Sequence, residues 1–351
     1  MIKKLGLSAS LIFGIFSGFF LLFTPGGGRA EEKTRSQYLL KWATIAPENS
    51  VWGDAVVLTT KEIEKRSRGR LKNIWYFGAV MGDEPETILK LKQNELQELA
   101  LLSVGLSKIS PELLAFSIPF LFKNYQEVDC VFNRAWPLVE KVMAEKGYVV
   151  FGRADVGFSV IFSKKELRTA EDFKNAKMWT WAGLEIDKPA ADLLGVKTQF
   201  PLPLPEVLPA LQNGMVDTVY ATYYTVIALQ WNTQIRYMTD IEKYRGAYAP
   251  GLLILKKATF DALPPEIQKA MKEVWGSYFP LLRKHLREDE ENARQGLLKR
   301  GIKYMEIDPK FLKDINIRAQ SIFKYKDLGS SPWFLNSVLD ARDRCRAELA
   351  K

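Results

Sequence analysis

The chain has 351 residues, of which 47% are hydrophobic and 26% are charged, and this balance is typical of a globular protein with room for two domains. Basic residues exceed acidic residues and give a formal net charge of +9. The two signs alternate along the chain, as in Lys61–Arg66, and such mixing indicates a solvated helix face rather than a nucleic-acid-binding surface.

Residues 1–30 have the layout of an export signal. Two lysines precede the apolar stretch Leu5–Phe23, and the small residues Gly28 and Ala30 form a cleavage site. The sequence therefore predicts a signal peptide that is cleaved after Ala30, and a periplasmic location. The alternative is an uncleaved membrane anchor, because the apolar stretch has 19 residues and about 20 are needed to span a bilayer.

Strands and helices alternate in the first part of the chain. Strands are predicted at Tyr38–Thr44, Leu71–Phe77 and Leu96–Ser103, and helices at Val51–Arg66 and from an N-cap at Asp83 to about Asn94. This alternation predicts a parallel sheet with helices on both faces.

A second unit of the same kind begins near Val149. Its predicted strands are Val156–Phe162, Lys177–Trp181 and Val216–Ala221, and its predicted helices are a short one capped by Thr169, then Asp187–Leu194, Pro205–Asn213 and Tyr223–Trp231.

The last part of the chain returns to the first unit. Gly251–Lys256 is predicted to be a strand, and a charged helix follows from Pro264 to about Arg300. A helix of about 35 residues exceeds the ordinary globular length, which suggests an element that spans two domains. Gly301–Ile307 is predicted to be a strand, and the remainder is mostly helical.

Five segments carry a family pattern in a fixed order. They are Gly69–Leu71 with Phe77–Glu84, Glu95–Leu99, Ile118–Phe122 (IPFLF), Asp172–Lys177 (DFKNAK) and Glu206–Asp217 (EVLPALQNGMVD). Together they resemble the substrate-binding proteins of tripartite ATP-independent periplasmic (TRAP) transporters over about residues 38–310.

The resemblance implies an α/β periplasmic-binding-protein fold with two hinged domains and a ligand cleft. Domain I would comprise residues 36–153 and 248–290, and domain II residues 154–247 and 291–345. Such a receptor captures a small molecule by hinge closure and delivers it to the TRAP membrane permease subunits.

Three positions depart from the family pattern that holds a ligand carboxylate. Most relatives use two arginines and an asparagine, and an arginine fork gives a carboxylate two charge-assisted hydrogen bonds. The matching residues here are Ser159, Trp179 and Ala221. Burial of a carboxylate without those partners costs roughly several kcal/mol of binding free energy. Burial of apolar surface instead contributes ~25 cal/mol of favourable free energy per Å². The ligand is therefore expected to be apolar or amphipathic.

The predicted ligand-binding residues lie around these positions and, by analogy with the family, in domain I. They are Thr44, Trp52, Phe77, Phe158, Ser159, Trp179, Trp181, Tyr220, Ala221 and Tyr224. Trp179 and Trp181 share one face of their strand, whereas Tyr220 and Ala221 would face opposite sides, so some of these side chains belong to the core instead. Arg153 is an alternative clamp that could supply a replacement charge.

No catalytic or metal-binding set is present in the sequence. His285 is the only histidine and lies in the charged helix, and no Ser-His-Asp set or phosphate-binding loop occurs. No enzymatic activity, metal or cofactor is expected. Cys130 and Cys345 could form a disulfide in an exported protein, or each could be a small buried residue.

Three hypotheses remain open at this point. The chain is a TRAP receptor for an apolar or amphipathic solute, or a TRAP receptor for an organic acid with a non-standard clamp, or a protein-partner-binding module on the same fold. The missing arginines also resemble the TRAP branch that works with a periplasmic tetratricopeptide-repeat protein, which makes that protein a further candidate partner.

Overall fold

The computed structural model describes residues 37–322 and 331–350, without the side chains of residues 320–322. The predicted signal peptide, residues 1–30, lies outside the described residues. Within the described ranges, no helix combines the length and the apolar character that a membrane crossing requires.

The described residues form eleven strands and twelve α-helices. The strands are β1 Tyr38–Thr44, β2 Leu71–Tyr76, β3 Glu98–Leu101, β4 Tyr148–Phe158, β5 Val160–Ser163, β6 Lys177–Trp181, β7 Thr198–Leu202, β8 Thr218–Ala221, β9 Tyr237–Met238, β10 Tyr248–Lys256 and β11 Lys303–Tyr304. The helices are α1 Val51–Arg66, α2 Glu84–Lys92, α3 Ser103–Ile109, α4 Tyr125–Glu145, α5 Ala170–Lys174, α6 Asp187–Leu193, α7 Val207–Asn213, α8 Tyr223–Ala228, α9 Lys257–Asp261, α10 Pro265–Lys299, α11 Pro309–Ile322 and α12 Pro332–Leu349.

The first sheet has the strand order β2-β1-β3-β10-β4. Strand β1 runs parallel to β2 and β3, as the alternation of strands and helices predicts. Strand β10 runs antiparallel to both β3 and β4, so the prediction of a parallel sheet is wrong at these strands. The physical reason is that β10 brings the chain back from the second unit, and it enters the sheet from the opposite end.

The second sheet has the strand order β11-β9-β5-β8-β6-β7. Strand β6 is parallel to β7 and β8, whereas β5 is antiparallel to β8 and β9. The structure therefore contains two mixed sheets, each packed with helices, and the two-domain α/β fold is confirmed. The residue boundaries given above for the two domains stay predictions.

Helix α10 packs against the cores of both sheets. Its N-terminal half contributes Trp275 and Phe279 to the cluster under the first sheet, and its C-terminal half contributes Ala293 and Leu297 to the cluster under the second. The predicted spanning role of this 35-residue helix is thus confirmed.

Several elements differ from the sequence prediction, and two of them bear on how α10 and α12 pack. Helix α4 was not predicted, although Asn124 caps it and its buried residues recur at helical spacing. Strand β4 runs from Tyr148 through Gly152 to Phe158, whereas the predicted strand begins at Val156. A side chain at Gly152 would collide with the Phe279 ring, since a Cβ there would lie 2.2 Å from the ring carbon Cδ2. Glycine therefore allows α10 to approach β4 closely.

A disulfide bond joins Cys130 in α4 to Cys345 in α12. Of the two possibilities left open by the sequence, the structure contains the bridge, although 215 residues separate the two cysteines. The bond holds the C-terminal helix on the first core, where Phe334 packs edge-on against Phe116.

Candidate ligand-binding site

A cavity of about 190 Å³ lies between the two sheets. Its wall is formed by the segments that follow β1 and β3, by parts of β4, β6, β8 and β10, and by helix α8. Six aromatic side chains line it, namely Trp52, Trp179, Trp181, Tyr220, Tyr224 and Tyr248. Six hydroxyl side chains also line it, namely Thr44, Ser103, Ser117, Ser159, Thr222 and Thr225. The remaining wall is mostly aliphatic, as in sites that bind small molecules largely by apolar contact.

Eight of the ten predicted ligand-binding residues lie in this wall. They are Thr44, Trp52, Ser159, Trp179, Trp181, Tyr220, Ala221 and Tyr224. Phe158 is fully buried and packs instead against Tyr125 and Tyr248. Phe77 stacks on Trp75 at the end of the first sheet.

Trp179 and Trp181 present their rings to the cavity from one face of β6, as the two-residue repeat of a strand requires. Their ring centroids are 5.9 Å apart. Trp179 is fixed because its Nε1 donates a hydrogen bond of 2.9 Å to the backbone oxygen of Leu202 and its ring packs edge-on against Trp231. Trp179 therefore presents a fixed aromatic ring to the cavity.

Tyr220 and Ala221 both reach the wall, although adjacent strand residues were expected to face opposite sides. Ala221 is the last residue of β8, and Thr222 caps the helix that follows, so the chain turns at this point. The Tyr220 hydroxyl accepts a hydrogen bond from the backbone N–H of Ala247.

Arg153, the alternative clamp, has protein partners. It is 5% exposed and donates hydrogen bonds to Asp155 and Asp129. Arg287 donates to the same two carboxylates. Arg153 is not among the described residues that line the cavity, whereas its partner Asp155 is.

Asp187 lines the cavity, although the sequence did not predict it as a site residue. It is the first residue of α6, and its Oδ2 accepts a hydrogen bond of 2.7 Å from the backbone N–H of Trp181. Burial raises the pKa of Asp187 to about 7, against the lowering effect of that hydrogen bond. Its place two residues before Pro189 marks a helix start, but this signal does not indicate that it faces a cavity.

Glu290 positions the helix that carries Tyr224. Its carboxylate oxygens accept hydrogen bonds of 2.9 Å from the backbone N–H groups of Tyr223 and Tyr224 at the start of α8. Burial raises the pKa of Glu290 to about 8, although these N–H groups lower it. A carboxylate is stabilised at the N-terminus of a helix, where the helix dipole has its partial positive charge. Because Glu290 belongs to α10, α10 fixes this part of the wall.

The cavity wall contains two carboxylates and no lysine, arginine or histidine among the described residues. The indole N–H of Trp52 is buried and has no hydrogen-bond partner within residues 37–322 and 331–350. In the same ranges, no group of three or more His, Cys, Asp or Glu residues could hold a metal ion. The arrangement can therefore bind a small molecule by apolar and hydrogen-bonding contacts.

Known proteins resemble this chain in sequence and in fold. Residues 42–327 match the family described as bacterial extracellular solute-binding protein, family 7. A solute-binding protein of Verminephrobacter eiseniae is 28% identical over 260 residues, which cover 73% of this chain and 75% of that protein.

Solved structures share the fold at lower identity. A sugar-acid-binding protein of Advenella mimigardefordensis in complex with galactonate has a TM-score of 0.81 and 19% identity, and the match covers 88% of this chain and 99% of that one. A TRAP periplasmic solute-binding protein of Xanthobacter autotrophicus with bound β-D-galacturonate has a TM-score of 0.78 and 20% identity. This match covers 87% of this chain and 99% of that one.

The family match spans most of the chain, and the two sheets with their intervening cavity agree with it. The chain therefore belongs to the bacterial extracellular solute-binding protein family 7, whose members are receptors of TRAP transporters and not enzymes.

Proposed function

We propose that this protein is an exported TRAP receptor that captures an apolar or amphipathic small molecule and delivers it to the membrane permease. The observation that carries the proposal is the composition of the cavity wall. Trp179 stands where the family arginine is expected, and no basic residue lines the described cavity. Apolar contact with the aromatic wall would supply the binding energy, at about 25 cal/mol per Å² of apolar surface buried.

Capture is expected to involve hinge closure. The wall draws residues from both sheets, so a ligand between them favours the closed arrangement and is shielded from water. The permease would then receive the solute from the reopened receptor.

The second candidate is a receptor for an organic acid. It is favoured by the galactonate and galacturonate that the solved relatives hold. Such a ligand would need a new source of positive charge, because Arg153 is engaged by Asp129 and Asp155. Titration calorimetry with galactonate and galacturonate separates the two candidates, since tight binding of either acid would favour this one.

The decisive experiment is native mass spectrometry of gently purified mature protein, followed by organic extraction and identification of any bound molecule. A co-purified apolar or amphipathic molecule supports the proposal, and a small carboxylate overturns the ligand class.

A protein-partner module would be favoured instead if no small molecule changed the scattering profile of the receptor in solution.

Export and a further partner have their own tests. N-terminal sequencing of the periplasmic protein should begin at Glu31 if the signal peptide is cleaved after Ala30. The tetratricopeptide-repeat partner stays a prediction of the family resemblance, and co-purification from periplasmic extract with an affinity-tagged receptor checks it.

A further inference from the structure

Asp187 brings a carboxylate to an otherwise apolar part of the cavity wall. One of its oxygens is engaged by the backbone N–H of Trp181 at 2.7 Å. No other hydrogen bond or ion pair joins the carboxylate of Asp187 to the described residues, although its backbone N–H donates to the oxygen of Leu184. A carboxylate accepts several hydrogen bonds, so this one retains capacity for a donor in the cavity.

The second carboxylate of the wall is already neutralised. Asp155 is ion-paired with Arg153 and Arg287, both at 2.5 Å. It therefore requires no charge from a ligand. Asp187 differs because no ion pair to it is found among the described residues.

Two lysines of this region pair with other carboxylates. Lys188, the next residue in the chain, pairs with Asp192 at 2.9 Å. Lys108, which approaches Gly183, pairs with Glu185 at 3.8 Å. Neither lysine lines the cavity in the described part of the chain, so the negative charge of Asp187 is not balanced on the cavity side.

Asp187 is half-buried, and a partly buried charge without a partner is costly, so a ligand of opposite charge reduces that cost. The rings of Trp179 and Trp181 line the same cavity as Asp187, and aromatic faces attract cations. An anionic ligand would instead be repelled by Asp187 and would meet no described basic residue in the wall.

We propose that the ligand carries a protonated amine, which binds the carboxylate of Asp187, on a small apolar body that packs against Trp179 and Trp181. This inference rests on the proposed function, because it names the chemical class of the amphipathic solute. The cavity volume of about 190 Å³ limits the body to about one ring with a short substituent, since a cavity of about 150 Å³ holds benzene.

Three probes with one aromatic ring and similar size test the charge preference. They are 2-phenylethylamine, 2-phenylethanol and phenylacetate, which are cationic, neutral and anionic. Binding to the mature protein, stripped of any co-purified molecule, is measured by titration calorimetry at about pH 8, above the pKa of about 7 of Asp187. The amine is expected to bind at least about tenfold more tightly than phenylacetate.

Asp187→Asn is the informative variant, because asparagine keeps the shape and can still accept the Trp181 N–H. It should weaken binding of the amine about tenfold or more and change binding of the alcohol by less than about threefold. Asp192→Asn is the matched control, because it removes the same charge from the exposed side of α6. It should leave the affinities for all three probes unchanged.

The outcomes separate this inference from the proposed function. If the alcohol binds as well as the amine, or if Asp187→Asn affects both equally, the amine site is wrong while an apolar receptor remains. If phenylacetate binds most tightly, the amine site is wrong, and if galacturonate binds most tightly, both the amine site and the apolar or amphipathic ligand class are wrong. Failure of all three probes, together with a neutral co-purified molecule in the mass spectrum, rejects the amine and retains the receptor.

Discussion

Trp181 Nε1 donates a hydrogen bond of 3.0 Å to Oδ2 of Asp83, 98 residues earlier in the chain. Asp83 caps helix α2, which packs beside the first sheet, whereas Trp181 ends a strand of the second sheet. The same oxygen accepts a hydrogen bond from the backbone N–H of Leu204 at 3.1 Å. One carboxylate therefore joins the two sheets at the edge of the cavity, next to a ring that lines it.

This contact should stabilise the closed arrangement. Trp181→Phe removes the indole donor and keeps an aromatic ring, so closure should weaken by about 0.5–1.5 kcal/mol, the net value of one hydrogen bond. Small-angle X-ray scattering of the ligand-free protein should then report a larger radius of gyration, and ligand affinity should fall several-fold.

Trp179→Phe is the matched control for this prediction. It also removes an indole donor from a cavity-lining residue, but the lost hydrogen bond to Leu202 lies within the second sheet. It should lower the free energy of unfolding without changing the radius of gyration. Equal scattering profiles for both variants would show that the Asp83 contact does not control closure.

The free energy of unfolding should fall as the pH rises from about 5 to about 8. Burial raises the pKa of Glu84 and of Glu290 to about 8 and that of Asp187 to about 7. The folded protein therefore binds more protons than the unfolded chain in this interval, and the stability that protonation provides is lost as the pH passes the raised pKa values. The expected loss is at least about 2 kcal/mol.

Urea unfolding at both pH values measures this change. Asp187→Asn should reduce the pH dependence, because one of the carboxyls with a raised pKa is removed, and Asp192→Asn should leave it as in the wild type. If the protein were equally stable at both pH values, the pKa values of these carboxyl groups would not be raised in the folded protein.

Asp155→Asn should destabilise the fold strongly. The carboxylate is buried between Arg153 and Arg287, and its loss leaves Arg153 with Asp129 as its remaining carboxylate partner. Removal of one member of a buried ion pair costs about 3–5 kcal/mol. Thermal unfolding of this variant, beside the exposed Asp192→Asn, checks the expectation, and similar melting temperatures for the two variants would refute it.

Loss of the disulfide bond should lower stability without changing the cavity. The double variant Cys130→Ala with Cys345→Ala opens a loop of 215 residues, and removal of such a bond typically costs about 2–5 kcal/mol. Urea unfolding measures the loss, and the reduced wild type should match the double variant. A large change in ligand affinity would show that α12 also acts on the cavity.

Local features of the fold could be predicted from the sequence. Asp83 and Thr169 cap helices α2 and α5 with capping boxes, as their spacing to Glu86 and Asp172 predicts. Gly214 ends α7 with a positive φ of 77°, which glycine adopts without strain. These features depend on neighbouring residues only, so a single sequence contains the necessary information.

The site was partly predictable for the same reason. The alternation of strand residues places Trp179 and Trp181 on one face, and the family resemblance indicated that β6 lies beside the cleft. The engagement of Arg153 by two carboxylates was not predictable, because Asp129 lies 24 residues away on helix α4.

The sequence by itself therefore determined the family and most element positions, and the family resemblance predicts the absence of the usual arginine clamp. The tertiary structure alone decided that Cys130 meets Cys345, that Trp181 meets Asp83 and that Asp187 faces the cavity. The physical reason is that hydrophobic periodicity and capping are local, whereas these contacts depend on how two sheets and a long helix pack against each other.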